Sequence, residues 1–489
     1  MKLSQENLNK FTDVAVPEYD RSKLSAGIIH VGLGNFHRAH QAWYLDRLFA
    51  KGKSHDWAII GAGVRAGDSV QRDRLKGQDC LTTIIELDPG NNHGRVIGSM
   101  IDFLPVEEGN GALIAAMSKP EIRIVSLTVT EGGYYINSAI GAFDPKHSDM
   151  IHDAANPSSP RSVFGAIIAA LRARKDVGLE PFTVMSCDNL PENGHVARDA
   201  VLGLAKIQDT DLATWIEANV AFPNSMVDCI TPATGPREIA LAKSFGVDDA
   251  SPVVCEPFRQ WVIEDNFPQG RPAFEELSDI GITFSKDVAK FELMKLRILN
   301  GGHATIAYPA GLLEIPYAHE AMEHKLINGF LAKLESDEII PTIPPVPNTN
   351  LQDYYRLIDS RFSNPDIGDT IPRLALDGSN RQPKFILPVT RDRLKAGQTV
   401  RGLALVSALW CKYCAGVSDK GNPIEIVDEA AETLTALALR TKTEPLAFLE
   451  LTETFGDVGE SEEFRTQFGH WISALWTKGT EATLEEYIG

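Results

Sequence analysis

A chain of 489 residues, 43% hydrophobic and 23% charged, holds enough apolar side chains for two or three cores, more than one ordinary domain needs. A net charge of −19 excludes a nucleic-acid or anionic-membrane surface as the organising feature, because phosphate binding needs an excess of Lys and Arg. No apolar run approaches the roughly eighteen residues of a membrane span, the leading stretch MKLSQENLNKF is polar, and the six cysteines are sparse and unevenly spaced, so a cytoplasmic, reduced protein is expected.

In chain order, Val- and Ile-rich runs at 27–32, 56–61, 82–87, 122–130, 182–187 and 252–257 predict buried strands separated by helical stretches. Continuous apolar strands of this kind belong to a mostly parallel sheet covered on both faces. Past about residue 290 the strand signals fade. Amphipathic segments at 316–337, 398–416, 428–440 and 462–477 take over, around a proline-rich loop at 341–350. The expected architecture is α/β: a Rossmann-like, NAD-binding domain over 1–285, then a mainly α-helical substrate and catalytic domain over 286–489.

GIIHVGLGNFHRAHQ supplies a strand, a Gly32-x-Gly34 turn and a helix, the order in which a backbone can approach a pyrophosphate at a helix N-terminus. Asn35 and Phe36 then fall beside the cofactor, while His37 occupies the third glycine position. A second candidate, AIIGAGVRAGD, offers Gly61 and Gly63 with Glu86 downstream, and spacing does not choose between the two. If the first turn binds the pyrophosphate, Asp68 follows the second strand and is placed to accept from ribose hydroxyls, which favours NAD over NADP; Arg65 opposes that preference. His37, Arg38 and His40 are expected near the phosphates or capping the helix rather than on a metal. Cys411 and Cys414 form a CxxC without a second ligand pair and read as part of a buried helix.

TVTEGGYY puts Glu131 at a strand's C-terminal edge, where open α/β sheets bind ligands. SCDNLPENG ends another strand with Asp188 and Asn189; the Asn189 amide is a candidate donor to an oxygen developing charge. Asp228 sits in an apolar stretch, where an unpaired carboxylate is costly, so it either binds a substrate hydroxyl or meets a cation. Arg373, Arg381 and Lys384 cluster around a predicted turn, as substrate contacts or as surface ion pairs. FELMKLRILNGGHATIAYPA, at 291–310, carries the densest chemistry. On an α-helix Asn300 would lie about 140° and His303 about 80° round from Lys295, all on one side. A lysine among Leu, Ile and Met is a candidate for a depressed pKa and hence a general base.

GLGNFHRAHQ, SLTVTEGGYY, FTVMSCDNLPENG, PNSMVDCITP, ELMKLRILNGGH, RFSNPDIGDT and DGSNRQPKF, in this order, resemble the mannitol 2-dehydrogenase family of long-chain polyol-specific dehydrogenases and reductases. The resemblance covers essentially the whole chain and favours Gly32 and Gly34 as the cofactor turn. It implies metal-independent, NAD-dependent oxidation of a secondary alcohol, with D-mannitol to D-fructose the leading reaction and D-arabinitol or D-glucitol also accepted. Lys295 is then the general base, Asn189 and Asn300 hold the alkoxide, His303 orients a neighbouring hydroxyl, and Asp228, Arg373 and Arg381 fix the polyol. Glu292, one turn before Lys295, is a proposed proton relay to water. A monomer is expected. Two departures stand out: Arg381 replaces a lysine of some mannitol dehydrogenases, and Gly67 precedes a single Asp68 where some members carry two adjacent acids. A fructuronate or tagaturonate reductase is the nearest enzymatic alternative, and a non-catalytic NAD-binding sensor the alternative of another class.

Overall fold

The computed structural model describes residues 1–137 and 141–489. It divides into two compact units, Met1–Ala289 and Lys290–Gly489.

The first unit is built on a five-stranded parallel sheet. Its strands are β1 (Ala26–Val31), β2 (Ala58–Ala62), β5 (Met100–Phe103), β6 (Ile124–Leu127) and β9 (Thr183–Ser186), in the order β5-β2-β1-β6-β9. The remaining strands are β3 (Thr82–Glu86), β4 (His93–Ile97), β7 (Ile136–Asn137), β8 (Ala142–Phe143), β10 (Ser225–Asp228), β11 (Val253–Cys255), β12 (Gln260–Ile263) and β13 (Ile282–Phe284). β1 shows why its sequence is continuously apolar. Ile29 and Val31 enter one core, with Phe164 and Ile167 of the helix Val163–Asp176, while Ile28 enters a second core with Leu45 and Leu48 of the helix Gln41–Ala50. Side chains alternate across a strand, so a sheet covered on both faces needs apolar residues at successive positions.

Two predicted strands join a different sheet from the one expected. β3 pairs in parallel with β11 and antiparallel with β4 in a separate three-stranded sheet. The fifth strand of the main sheet is instead β5, whose Ile101 and Asp102 are only half-buried and give a weak apolar signal. A third sheet places β12 between β10 and β13, with Asp228 opposite Gln260.

The second unit is helical and contains no strand among the described residues. Its helices include Gly301–Leu312, Lys325–Leu334, Leu351–Phe362, Arg401–Cys414, Ala431–Arg440 and Glu462–Lys478. Arg401–Cys414 packs along Glu462–Lys478, and the indole of buried Trp471 donates to the Arg401 carbonyl at 2.8 Å, so a large side chain is buried with its one donor satisfied. Cys411 and Cys414 are buried inside the first of these helices as free thiols.

Candidate active site

In the first unit the chain leaves β1 through Gly32, whose φ of +97° is left-handed. A Cβ there would lie 2.0 Å from the Thr128 carbonyl oxygen, so neither the conformation nor the space admits a side chain. Gly34 N–H donates to the Gly32 oxygen at 2.8 Å, closing the turn into the helix Asn35–Ala39. Gly32 and Gly34 line a cavity of about 470 Å³ together with Arg65, Asp68, Thr128 and Thr130. The second glycine pair serves packing. A Cβ on Gly61 would strike the Leu33 side chain at 2.1 Å and one on Gly63 the Asp68 side chain at 2.3 Å. Glu86, the acid downstream of that pair, lies on the other sheet and binds Arg259 Nη1 at 2.7 Å.

Asp68 Oδ2 accepts from the backbone N–H groups of Val64 and Arg65, both at 3.0 Å, fixing the end of β2 at the rim of the cavity. Arg65 is turned towards Asp149 Oδ2 and the Tyr135 hydroxyl, each 3.2 Å away. Asn35 commits its amide to protein groups: Nδ2 donates to the Pro232 carbonyl at 3.0 Å and to Thr234 Oγ1 at 2.9 Å, and Oδ1 accepts from Arg38 at 2.8 Å. It thereby ties the glycine turn to Thr231–Thr234, which line a neighbouring hollow of about 670 Å³; Gln71 lines both spaces. Phe36 stacks on His40 at 4.9 Å.

His37, Arg38 and His40 face the interior, which corrects the expectation that they lie at the phosphates or cap the helix. All three are buried. His37 stacks on His30 of β1, Arg38 donates to the carbonyls of Gly34 and Ser251, and His40 Nε2 bonds the Gln260 carbonyl at 3.0 Å. The helix breaks at His40 (φ −118°, ψ −93°) before resuming as Gln41–Ala50. Burial drives the His30 imidazole down to about 3 and keeps both rings neutral.

Asp188 proves to be an anchor that the sequence did not single out. Its carboxylate accepts from Val129 N–H and Thr130 N–H, both at 2.9 Å, and from the Tyr134 hydroxyl at 2.7 Å. Burial raises this carboxyl while the three donors oppose the shift. It holds Thr130 in a left-handed conformation (φ +67°) immediately before Glu131, which is exposed. The only sequence signal was a strand ending in Asp. Asn189 follows it, exposed at the end of β9, and Asp228 is buried at the end of β10.

In the second unit the segment around Lys295 departs from the expected α-helix. The helix Val288–Met294 opens into a π-turn over Lys295–Asn300, and α-helix resumes at Gly301–Leu312. Gly301 N–H reaches the Leu296 carbonyl, five residues back. Closure over five residues brings Asn300 round much nearer to the side of Lys295 than the about 140° of an α-helix, and π-turns of this kind concentrate at functional sites. His303, three residues on, shares a face with Asn300. Lys295 and Glu292 are buried, and the Asn300 amide oxygen is buried without a hydrogen-bond partner among the described residues. Arg297 points away, to Thr342 Oγ1 at 2.6 Å and to Asp392, and anchors the turn.

His303 stacks on Phe362 at 4.1 Å, and Gly302 makes room for that ring: a Cβ there would stand 3.1 Å from Phe362 Cε2. Burial lowers the His303 imidazole to about 3, Asp369 opposing and Arg373, Arg381 and Arg361 assisting, so the ring is neutral. Arg373 grips Asp369 with two hydrogen bonds of 2.6 and 2.5 Å, and Arg381 donates to the Leu374 carbonyl. Lys384 is exposed. The candidate residues fall into two groups, each within one unit: the glycine turn, Asp68, Glu131, Asn189 and Asp228 in the first, and Glu292, Lys295, Asn300, His303, Arg373 and Arg381 in the second.

Comparison with known proteins yields two family models, the mannitol dehydrogenase Rossmann domain over residues 26–276 and the mannitol dehydrogenase C-terminal domain over residues 287–476. The chain is 57% identical over 475 residues to a mannitol 2-dehydrogenase of Cereibacter sphaeroides, covering 97% of this chain and 99% of that protein. Among solved structures it is similar to Pseudomonas fluorescens mannitol 2-dehydrogenase in a ternary complex with NAD and D-mannitol: 42% identity, TM-score 0.88, 100% of this chain and 99% of that one. A D-sorbitol dehydrogenase in substrate-free form superposes with a TM-score of 0.91 at 34% identity, over 99% of this chain and 100% of that one.

Proposed function

Because the chain belongs to the mannitol dehydrogenase family, we propose that it is an NAD-dependent polyol dehydrogenase that oxidises D-mannitol at C2 to D-fructose. The observation that carries this reading is the π-turn that sets Lys295, Asn300 and His303 on one side of a buried helix. The solved relative that holds NAD and D-mannitol matches the chain end to end.

The first unit suits the dinucleotide. The Gly32–Gly34 turn offers backbone to a pyrophosphate, and Asp68 offers an oxygen to the adenosine ribose hydroxyls, repelling a 2′-phosphate. Arg65, engaged by Asp149, adds little pull towards NADP. Bound NAD supplies the hydride acceptor. Lys295, as the neutral amine, takes the hydroxyl proton of the substrate carbinol. Asn189 and Asn300 donate to the oxygen as it becomes anionic, which lowers the barrier to loss of hydride from the same carbon. Neutral His303, held by Phe362, orients the adjacent hydroxyl; Asp228, Arg373 and Arg381 fix the rest of the chain. Glu292 passes the proton from Lys295 to water. The reaction assigns no step to a metal, D-arabinitol and D-glucitol are further substrates, and the enzyme acts as a cytoplasmic monomer. Among the described residues no helix is long and apolar enough to cross a membrane, and all six cysteines are free thiols.

The test is a substrate panel on purified protein: D-mannitol, D-arabinitol and D-glucitol with NAD and NADP, against fructuronate and tagaturonate with NADH. Mannitol turnover with NAD is expected. Turnover of the uronates only would replace the polyol reading by the reductase, and NAD binding without any turnover would replace it by a sensor.

A further inference from the structure

Asn189 and Asp228 stand at the ends of strands that share no sheet: β9 is an edge of the five-stranded sheet, and β10 pairs with β12 in the third. No ladder sets one strand end against the other. A single buried side chain bridges them. Asn193 opens the helix Asn193–Gln208; its Nδ2 donates to the Asp188 carbonyl at 3.0 Å and to the Ser225 carbonyl at 2.7 Å. Its Oδ1 accepts from Ser225 N–H at 2.9 Å. The amide thus serves the first residue of β10 as a neighbouring strand would, accepting from its N–H and donating to its carbonyl. Ser225 Oγ adds a bond to the Ser186 carbonyl of β9 at 2.7 Å.

The other end of the bridge falls on the turn that carries Asn189. Leu190 N–H donates to the Asp188 carbonyl at 2.9 Å, so Asn189 is the central residue of a three-residue turn. The carbonyl that closes this turn is the one that Asn193 holds. Asp188 is itself engaged at every polar group: its carboxylate by Val129, Thr130 and Tyr134, and its N–H by Ser186 Oγ at 3.3 Å. Glu192, just before Asn193, is left-handed (φ +50°), a conformation that a side chain of this size keeps only where its surroundings over-determine it.

We propose that Asn193, acting with Asp188, is a positioning residue for the oxidation: it holds the turn that presents Asn189 in register with the strand that ends at Asp228. This rests on the polyol dehydrogenase reading, in which Asn189 donates to the developing alkoxide and Asp228 fixes the polyol chain. Asn193 reaches the first through the Asp188 carbonyl and the second through Ser225. A donor aimed in advance needs no reorganisation when the oxygen becomes anionic, so the rate depends on how firmly the turn is held.

The test is a double-mutant cycle on the full chain. Asn193→Ala should lower kcat for mannitol oxidation by about 10²-fold, the cost of a catalytic group misplaced by about 1 Å. Asn189→Ala removes the positioned amide, and in that background Asn193→Ala should lower kcat by less than about threefold more, any remaining effect falling on KM through Asp228. A merely structural role weakens both backgrounds alike, so penalties on kcat that multiply in full would overturn the proposal. Should Asn193→Ala fail to fold, Asp188→Asn, which keeps the backbone carbonyl and the size of the side chain, decides by the same cycle. Hydrogen-exchange mass spectrometry reads the bridge without catalysis: in Asn193→Ala the peptides over 186–192 and 224–229 should both exchange at least about tenfold faster. Unchanged protection in either would also overturn it. A wild type that binds NAD without oxidising mannitol would sink the polyol reading instead, and the exchange result would still judge the bridge.

Discussion

His30 and His37 stack face to face, their ring centroids 3.4 Å apart and their planes 13° from parallel, with His30 Nε2 2.9 Å from Thr128 Oγ1 behind the glycine turn. In dinucleotide-binding turns the third glycine allows close packing of helix on strand. Here an imidazole fills that place and the strand supplies a second one to receive it. Burial drives His30 from 6.5 to about 3 and His37 in the same direction. Between those values the unfolded chain binds a proton that the native rings refuse. Stability is therefore full above about pH 6.5 and falls as pH drops towards 3, by up to about 1.4 kcal/mol per pH unit for each imidazole. Urea unfolding at pH 7, 6 and 5 should show the decline. His37→Phe, which keeps a stacking ring without a titrating group, should flatten it, and an equally steep slope in that variant would contradict the assignment.

The two glycines of the turn should respond differently to alanine. At Gly32 the left-handed φ and the Thr128 carbonyl 2.0 Å from a Cβ leave no room, and Gly32→Ala should weaken NAD binding at least tenfold and lower Tm. At Gly34 the nearest atom to a Cβ is 4.0 Å away, so Gly34→Ala should fold normally, any loss appearing only in cofactor affinity. Calorimetric titration with NAD beside thermal melts separates the cases. Equal melting losses in both would contradict the geometry.

Asp68 does two things, and its variants should separate them. Asp68→Asn keeps a side-chain oxygen for the Val64 and Arg65 N–H groups yet removes the charge that repels a 2′-phosphate. Its preference for NAD over NADP should fall roughly tenfold or more with little change in Tm, since 1.4 kcal/mol is a factor of ten. Asp68→Ala should lose the same preference and about 1 kcal/mol of stability besides. Ratios of kcat/KM for the two cofactors, measured on all three proteins, check both parts. An unchanged ratio in Asp68→Asn would remove the residue from cofactor selection.

Lys295→Ala should cut kcat for mannitol oxidation by about 10²- to 10⁴-fold, the range of general acid–base contributions. NAD affinity should stay within about twofold of the wild type, since no NAD-binding role is assigned to Lys295. A loss of NAD affinity as large as the loss of rate would mean a structural role for this buried lysine.

Much of this was legible in the sequence, for identifiable reasons. Buried parallel strands must be apolar at every position, so β1, β2, β6 and β9 announced themselves, and the helical segments past 290 carried a 3.6-residue period. Sheet membership was not legible: β3 reads as a buried strand just as β2 does, and only long-range pairing sends it to β11 and β4. The first helical turn misled for a related reason. His, Arg and His read as phosphate-side or capping residues, but Arg38 finds the carbonyl of Ser251 and His40 that of Gln260, more than two hundred residues away. Asp188 looked like a strand-end turn residue because its donors, Val129, Thr130 and Tyr134, belong to another strand's loop. The residue types around Lys295 marked the segment as a candidate, while the π-turn has no composition of its own to betray it.

A π-turn contains one residue more than the α-helical turn it replaces. Removing a single residue between Lys295 and Asn300 would let the ladder close over four residues throughout, and four α-helical residues turn about 400°, so Asn300 and His303 would keep the side of Lys295. With the count as it stands, a regular α-helix would part Lys295 and Asn300 by about 140°, and only closure over five residues brings them together. Loops such as 341–350 absorb insertions and deletions freely. In this helix it is the closure of the ladder, for the count as it stands, that decides which side Asn300 faces.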